Sequence, residues 1–234
     1  SLETVNSLAE HVVFDESFKR TRPTSCRRWF YFFRKLTAIE NLHNLCTSEV
    51  TTMAFMFDGC SALKELALGF FDTSNVTSMC FMFDSCYELE HLNLNAWNTQ
   101  QVTDMGDMFS KCSKLSELNL ENFDTRSVTN MGYMFNCCLK LTDINLTSFN
   151  TSNVTNMAGM FKSCEALKEL DLTSFNTGNV TKMSFMFEND NDLATITVGN
   201  GWSTENVQSS TCMFRHDVSL TGQNGTRYNY DYDY

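Results

Sequence analysis

Apolar and polar positions recur along this chain at a fixed interval. The string Val-Thr-x-Met-x-x-Met-Phe begins at Val50, Val76, Val102, Val128, Val154 and Val180, each start 26 residues after the last. A seventh copy begins at Val207, one residue late, and Gly199-Asn200-Gly201 is the natural place for the insertion. A degraded copy lies upstream, where Pro23-Thr24-Ser25-Cys26 followed by Trp29-Phe30 matches Val50-Thr51-Thr52-Met53 followed by Met56-Phe57. The full unit reads V-T-x-M-x-x-M-F-x-x-C-x-x-L-x-x-L-x-L-x-x-F-x-T-x-x. Its aromatic column is Phe71, Trp97, Phe123, Phe149, Phe175 and Trp202, and its closing column runs Thr73, Thr99, Thr125, Thr151, Thr177 and Thr204.

Two periods sit inside one unit. Val76, Met79, Met82, Phe83 and Cys86 fall on one helical stripe. The Asp/Asn-Thr-Ser/Gly-Asn run before it offers side-chain acceptors to the first helical N–H groups. Leu66-x-Leu68 then alternates as a half-buried strand does. One short parallel strand and one helix per coil predict an α/β fold, a leucine-rich-repeat-like right-handed solenoid of about eight coils. Its strands would form one parallel sheet of roughly 38 Å at about 4.8 Å per strand. The Phe71/Trp97 column stands where such repeats usually carry Asn, so aromatic rings rather than an amide ladder are expected to fill that corner.

The organisation that follows is an N-terminal cap over 1–22, a solenoid over 23–220 and a cap or tail over 221–234. Coil starts fall near 23, 50, 76, 102, 128, 154, 180 and 207. Leu2, Val5, Leu8 and Val12 have helix-like spacing, as a cap over the first coil would need. Tyr228, Tyr230, Tyr232 and Tyr234 alternate with polar residues, which fits either a capping edge strand or an unstructured tail.

The phrase L-x-x-L-x-L-x-x-F-x-T-S-N-V-T-N-M-x-x-M-F-x-x-C, nearly complete from Ser148 to Cys164, resembles the repeat of the BspA-like surface proteins and of a related mycoplasma and lactobacillus family. The resemblance covers residues 23–220. It implies an extracellular bacterial solenoid used for adhesion or ligand binding.

Composition narrows the chemistry. Ten Gly and one Pro exclude collagen-like and linker-rich chains. No apolar run reaches the roughly 18 residues of a membrane span, and Ser1 opens without a leader, so a soluble, trimmed piece is expected. The net charge is −11, with +3 over residues 1–36 and −14 over the rest. Nucleic-acid binding would rest on the short basic stretch Lys19 to Lys35 alone, and no nucleic-acid partner is expected.

Cys60, Cys86, Cys112, Cys138 and Cys164 form a column whose next member is Asp190. A disulfide ladder or metal site competes here with small buried thiols. Adjacent helices about 8–10 Å apart favour thiols, since disulfides need Cα atoms within about 6.8 Å. No metal or other cofactor is expected. So many unpaired thiols sit awkwardly with secretion. About eleven of the thirteen methionines fall in two inward columns and read as core. The four histidines are scattered, and no nucleophile–base motif occurs, so no enzyme is expected. The Thr73 and Thr77 columns suggest helix capping and helix-start solvation rather than an ice-binding face. Asn-x-Ser/Thr at Asn75, Asn145, Asn153, Asn179 and Asn224 mostly belongs to the repeat itself.

The outward strand positions are the candidate working surface. With Leu66 and Leu68 inward, a concave sheet would present Glu65, His91, Glu117, Asp143 and Glu169 in one column, Asn93, Asn119, Asn145 and Asp171 in the next, and Glu121 in the third. This polar, acidic face would bind a protein or glycan partner, as part of a monomeric, non-enzymatic surface or secreted module. The alternative is an intracellular inhibitor or effector solenoid, which the free cysteines favour.

Overall fold

A computed structural model describes residues 8–221 of the chain. Residues 1–7 and the tyrosine alternation lie outside the described residues. The repeats stack into a solenoid, as the register requires: eight equivalent positions, Ser25, Thr52, Ser78, Asp104, Asn130, Asn156, Lys182 and Ser209, are joined by parallel bridges into one unbroken ladder.

That ladder lies where helices were expected, and it replaces them. Among the described residues there is no α-helix; short 3-10 turns occur at Glu16–Arg20 and Leu42–Asn44. In the coil from Val50, the N–H groups of Met53, Phe55, Phe57 and Gly59 donate to Ser78, Cys80, Met82 and Asp84 carbonyls of the next coil at 2.8–3.0 Å. The intervening N–H groups of Met56, Asp58 and Cys60 close turns onto residues three back. A helix would need each of these N–H groups for the carbonyl four back. Left-handed φ values at Phe55 (60°) and Gly59 (74°), repeated at Phe81 and Ser85, are likewise incompatible with one. Linked turns of three residues place Val76, Met79, Met82 and Cys86 on one side as a helix would, so apolar spacing alone does not separate the two. Their shared product is the core: Val76, Met79, Met82, Phe83, Cys86 and Leu89 are fully buried, as are twelve of the thirteen methionines.

The strand face is correspondingly weaker than expected. Among the described residues six strands, β1 (His11–Val13), β2 (Ala38–Glu40), β3 (Glu65–Leu66), β4 (His91–Leu92), β5 (Glu169–Leu172) and β6 (Thr195–Val198), form three separate parallel pairs, β1–β2, β3–β4 and β5–β6, rather than one sheet. Val12, expected on a helical stripe, lies in β1 opposite Ile39. Equivalent rings stack from coil to coil. They stack 4.7 Å apart for Phe55–Phe81 at the turn face and 5.6–5.9 Å for the Phe83 to Phe187 series in the core. At the strand corner, Phe149 and Phe175 are 6.5 Å apart. On this face ladder register is kept within these pairs and is interrupted between them.

Candidate functional site

Most repeated polar columns prove to be engaged in holding coils together. The Thr73 hydroxyl donates to Asn98 O at 2.9 Å and accepts from Asn98 N at 2.8 Å, and Thr99, Thr125 and Thr151 repeat this clip on the next coil. These hydroxyls are buried and bridge coils; they cap no helix. Thr77, Thr103 and Thr129 donate to the threonine carbonyl one coil back. Asn75, Asn153 and Asn179 send side-chain N–H groups to Ser48, Arg126 and Ser152 carbonyls. On the strand face, Asn93, Asn119, Asn145 and Asp171 each accept the N–H two residues on, at 2.9–3.1 Å, so one oxygen of each ends a strand with a local turn. Bonds from Thr173 hold the Asp171 carboxyl below its usual range. Glu121 accepts from Asn145 Nδ2 at 3.0 Å.

The outermost acidic column has no such duty. Glu65, His91, Glu117, Asp143 and Glu169 are exposed. Among the described residues, their side chains make no hydrogen bond or ion pair. Glu65 and His91 are direct partners in the β3–β4 register. The structure brings Glu65, His91, Asn93, Glu117 and Asn119 together along a groove of about 560 Å³ that crosses four coils. Asp143, Asn145, Glu169, Asp171 and Glu121 lie farther along the face, outside this groove. Its floor is apolar: Ala38, Ile39, Ala67 and the half-buried Leu92. Ala38 and Ile39 went unrecognised because they belong to the degraded first coil, whose strand departs from L-x-L. The groove lies where β2 and β3 are not paired. A flexible chain bearing cationic groups would find an apolar floor and carboxylate walls here.

The cysteine column fills a structural position. All ten thiols are free, and Cys60, Cys86, Cys112, Cys138 and Cys164 aim Sγ at the carbonyls of Phe30, Phe57, Phe83, Phe109 and Phe135 at 3.1–3.3 Å. Without helices the coils stack more closely than 8–10 Å, so spacing is not what keeps the thiols apart. Each is instead directed at a carbonyl. Burial pushes Cys26 up to about 12 and the column thiols well above their ordinary value. Cys46, half-exposed, is lowered by hydrogen bonds from Ser48.

The family described as Mycoplasma protein of unknown function, DUF285, matches residues 24–135 and 113–227. No curated protein sequence matches the chain. Among solved structures, a leucine-rich repeat protein from Eubacterium ventriosum is similar over 95% of this chain and 45% of its own, at 17% identity and a TM-score of 0.41. The chain thus spans under half the length of that protein. A leucine-rich repeat protein from Bacteroides ovatus covers 90% of this chain and 69% of its own, at 16% identity and a TM-score of 0.25. For a leucine-rich cell surface protein from Faecalibacterium prausnitzii the figures are 90%, 77%, 17% and 0.29.

Proposed function

The chain belongs to the DUF285 family of 26-residue repeats, of the BspA-like type, and on that premise we propose that it is a non-enzymatic binding module whose strand face takes a protein partner. The observation that carries this reading is the contrast between columns. Polar side chains of the Thr73, Thr77 and Asn75 columns hold one coil to the next, whereas Glu65, His91 and Glu117 are exposed, adjacent and engaged in nothing among the described residues. A partner offering Lys or Arg side chains and a small apolar surface complements the groove. Rigid stacking presents the face ready-made, which lowers the ordering cost of binding.

The proposed setting is the bacterial surface, in adhesion. The column thiols are no obstacle to it, since they are buried, hydrogen-bonded and held protonated, and so are poor targets for oxidation. The alternative setting, inside a cell as an inhibitor or effector, draws on the same free thiols and needs the same face.

The test places a photo-crosslinking residue at Ala67 in the groove and, as control, at Thr103 on the turn face, and exposes both to host-cell surface extract. Adduct formation at 67 alone, abolished by Glu65→Lys with Glu117→Lys, supports the reading. Equal labelling at both positions, or indifference to the charge reversals, moves the site elsewhere.

A further inference from the structure

The strand face leaves unused the one basic region of the chain, which lies on the turn face of the first coil. Arg27 and Arg28 both pack on the Phe55 ring, 4.9 and 5.0 Å from its centroid, and Arg34 lies 5.0 Å from the Phe32 ring. Phe81 stacks on Phe55 at 4.7 Å with planes 4° apart, so little of that ring remains open. Two like charges thus share one aromatic support. Among the described residues, none of the three guanidinium groups forms an ion pair or a side-chain hydrogen bond. The acid within electrostatic reach of Arg28, Asp58, is itself buried. In the following coils the position of Arg27 is held by Ala54, Cys80, Gly106 and Gly132; arginine belongs to the first coil alone.

We propose that Arg27, Arg28 and Arg34 form a second binding site, for a sulfated glycan chain. The rings orient the planar guanidinium forks and lower the entropy lost on binding an oxyanion. Phe55, covered by Phe81 and the two arginines, offers bases no platform to stack on, and recognition there falls to charged oxygens. A sulfate ester offers three oxygens, enough to bridge two neighbouring forks, where a carboxylate offers two. The net charge of −14 beyond residue 36 repels a polyanion laid along the solenoid, so the occupant is a flexible chain whose anionic groups meet only the first coils. The site is independent of the strand-face groove and of opposite sign.

The experiment measures retention of the intact chain on immobilised heparin, with fully desulfated heparin, polyglutamate and an oligothymidylate as competitors. At about 0.15 M salt free heparin should displace the chain and none of these three should. Arg27→Gln/Arg28→Gln/Arg34→Gln should weaken binding at least about ten-fold and flatten its salt slope by about one per arginine removed. The exposed positions should leave the melting temperature unchanged. The corresponding triple lysine variant keeps the charge and should bind between the two, which separates fork geometry from bulk charge. Absence of heparin retention, equal retention of the glutamine variant, or equal competition by polyglutamate or oligothymidylate would each overturn the assignment.

Discussion

The backbone N–H of Cys164 donates to Asp190 Oδ1 at 2.6 Å, and Asp190 stands where the five preceding coils carry a cysteine. Asp190 is fully buried, its N–H in turn donates to Asp217 Oδ1 at 3.0 Å, and Oδ2 has no partner among the described residues. Burial, followed by the neighbouring Asp217 charge, pushes its carboxyl up to about 9. The folded chain therefore holds a proton that the unfolded chain releases near pH 4, and stability falls as pH rises from about 4 to 9, by at most about 1.4 kcal/mol per pH unit. Asp190→Asn keeps the acceptor for Cys164 and cannot ionise. Denaturant midpoints at pH 5, 7 and 9 should fall less steeply for the variant, which becomes the more stable protein at pH 9. Parallel curves for both would contradict a buried, protonated Asp190.

The threonine clip predicts unequal costs for two isosteric changes. Thr99→Val removes two buried inter-coil hydrogen bonds and leaves Asp124 N–H and C=O without their partner, for about 1–3 kcal/mol. Thr103→Val removes one exposed bond to Thr77 O and should cost less than about 1 kcal/mol. Urea unfolding of both variants decides this; equal losses would mean the clip does not bind the coils.

Gly159 is a second sensitive position. Its φ is +60°, and a Cβ there would meet Tyr133 Cε1 at 2.2 Å. The left-handed conformation alone costs an L-residue about 1–2 kcal/mol, and Gly159→Ala must also displace the Tyr133 ring. Thermal melts should show that loss, and Tyr133→Ala should recover part of it in the double variant. No recovery would place the cost in the backbone alone.

Thiol reactivity should divide along the same lines as burial. Cys46 is half-exposed with its thiol lowered, whereas Cys26 and the Cys60 to Cys164 column are buried with theirs raised. Iodoacetamide followed by peptide mapping should label Cys46 first in the native protein. The column should react only in denaturant, where ten free thiols are expected. Early labelling of Cys112 would mean the coils open locally.

The sequence by itself determined the period, the inward columns and the stacking direction. A 26-residue interval with Val, Met, Phe, Cys and Leu at fixed offsets sets the burial pattern, and Met53, Met56, Phe57, Cys60, Leu63, Leu66 and Leu68 are buried as that pattern requires. It did not determine the conformation of the V-T-x-M-x-x-M-F segment. Apolar residues three apart suit both a helix and a row of turns, and what separates them is where each N–H finds its carbonyl. Only the neighbouring coil supplies Ser78 O to Met53 N and Cys80 O to Phe55 N, so the choice is tertiary. The candidate site divides the same way. Alternation around Leu66 placed Glu65, His91 and Glu117 on one outward column. Which polar columns were already engaged, and where the strand face leaves a groove beside Ala38 and Ile39, depended on contacts between residues a full repeat apart, which no single repeat contains.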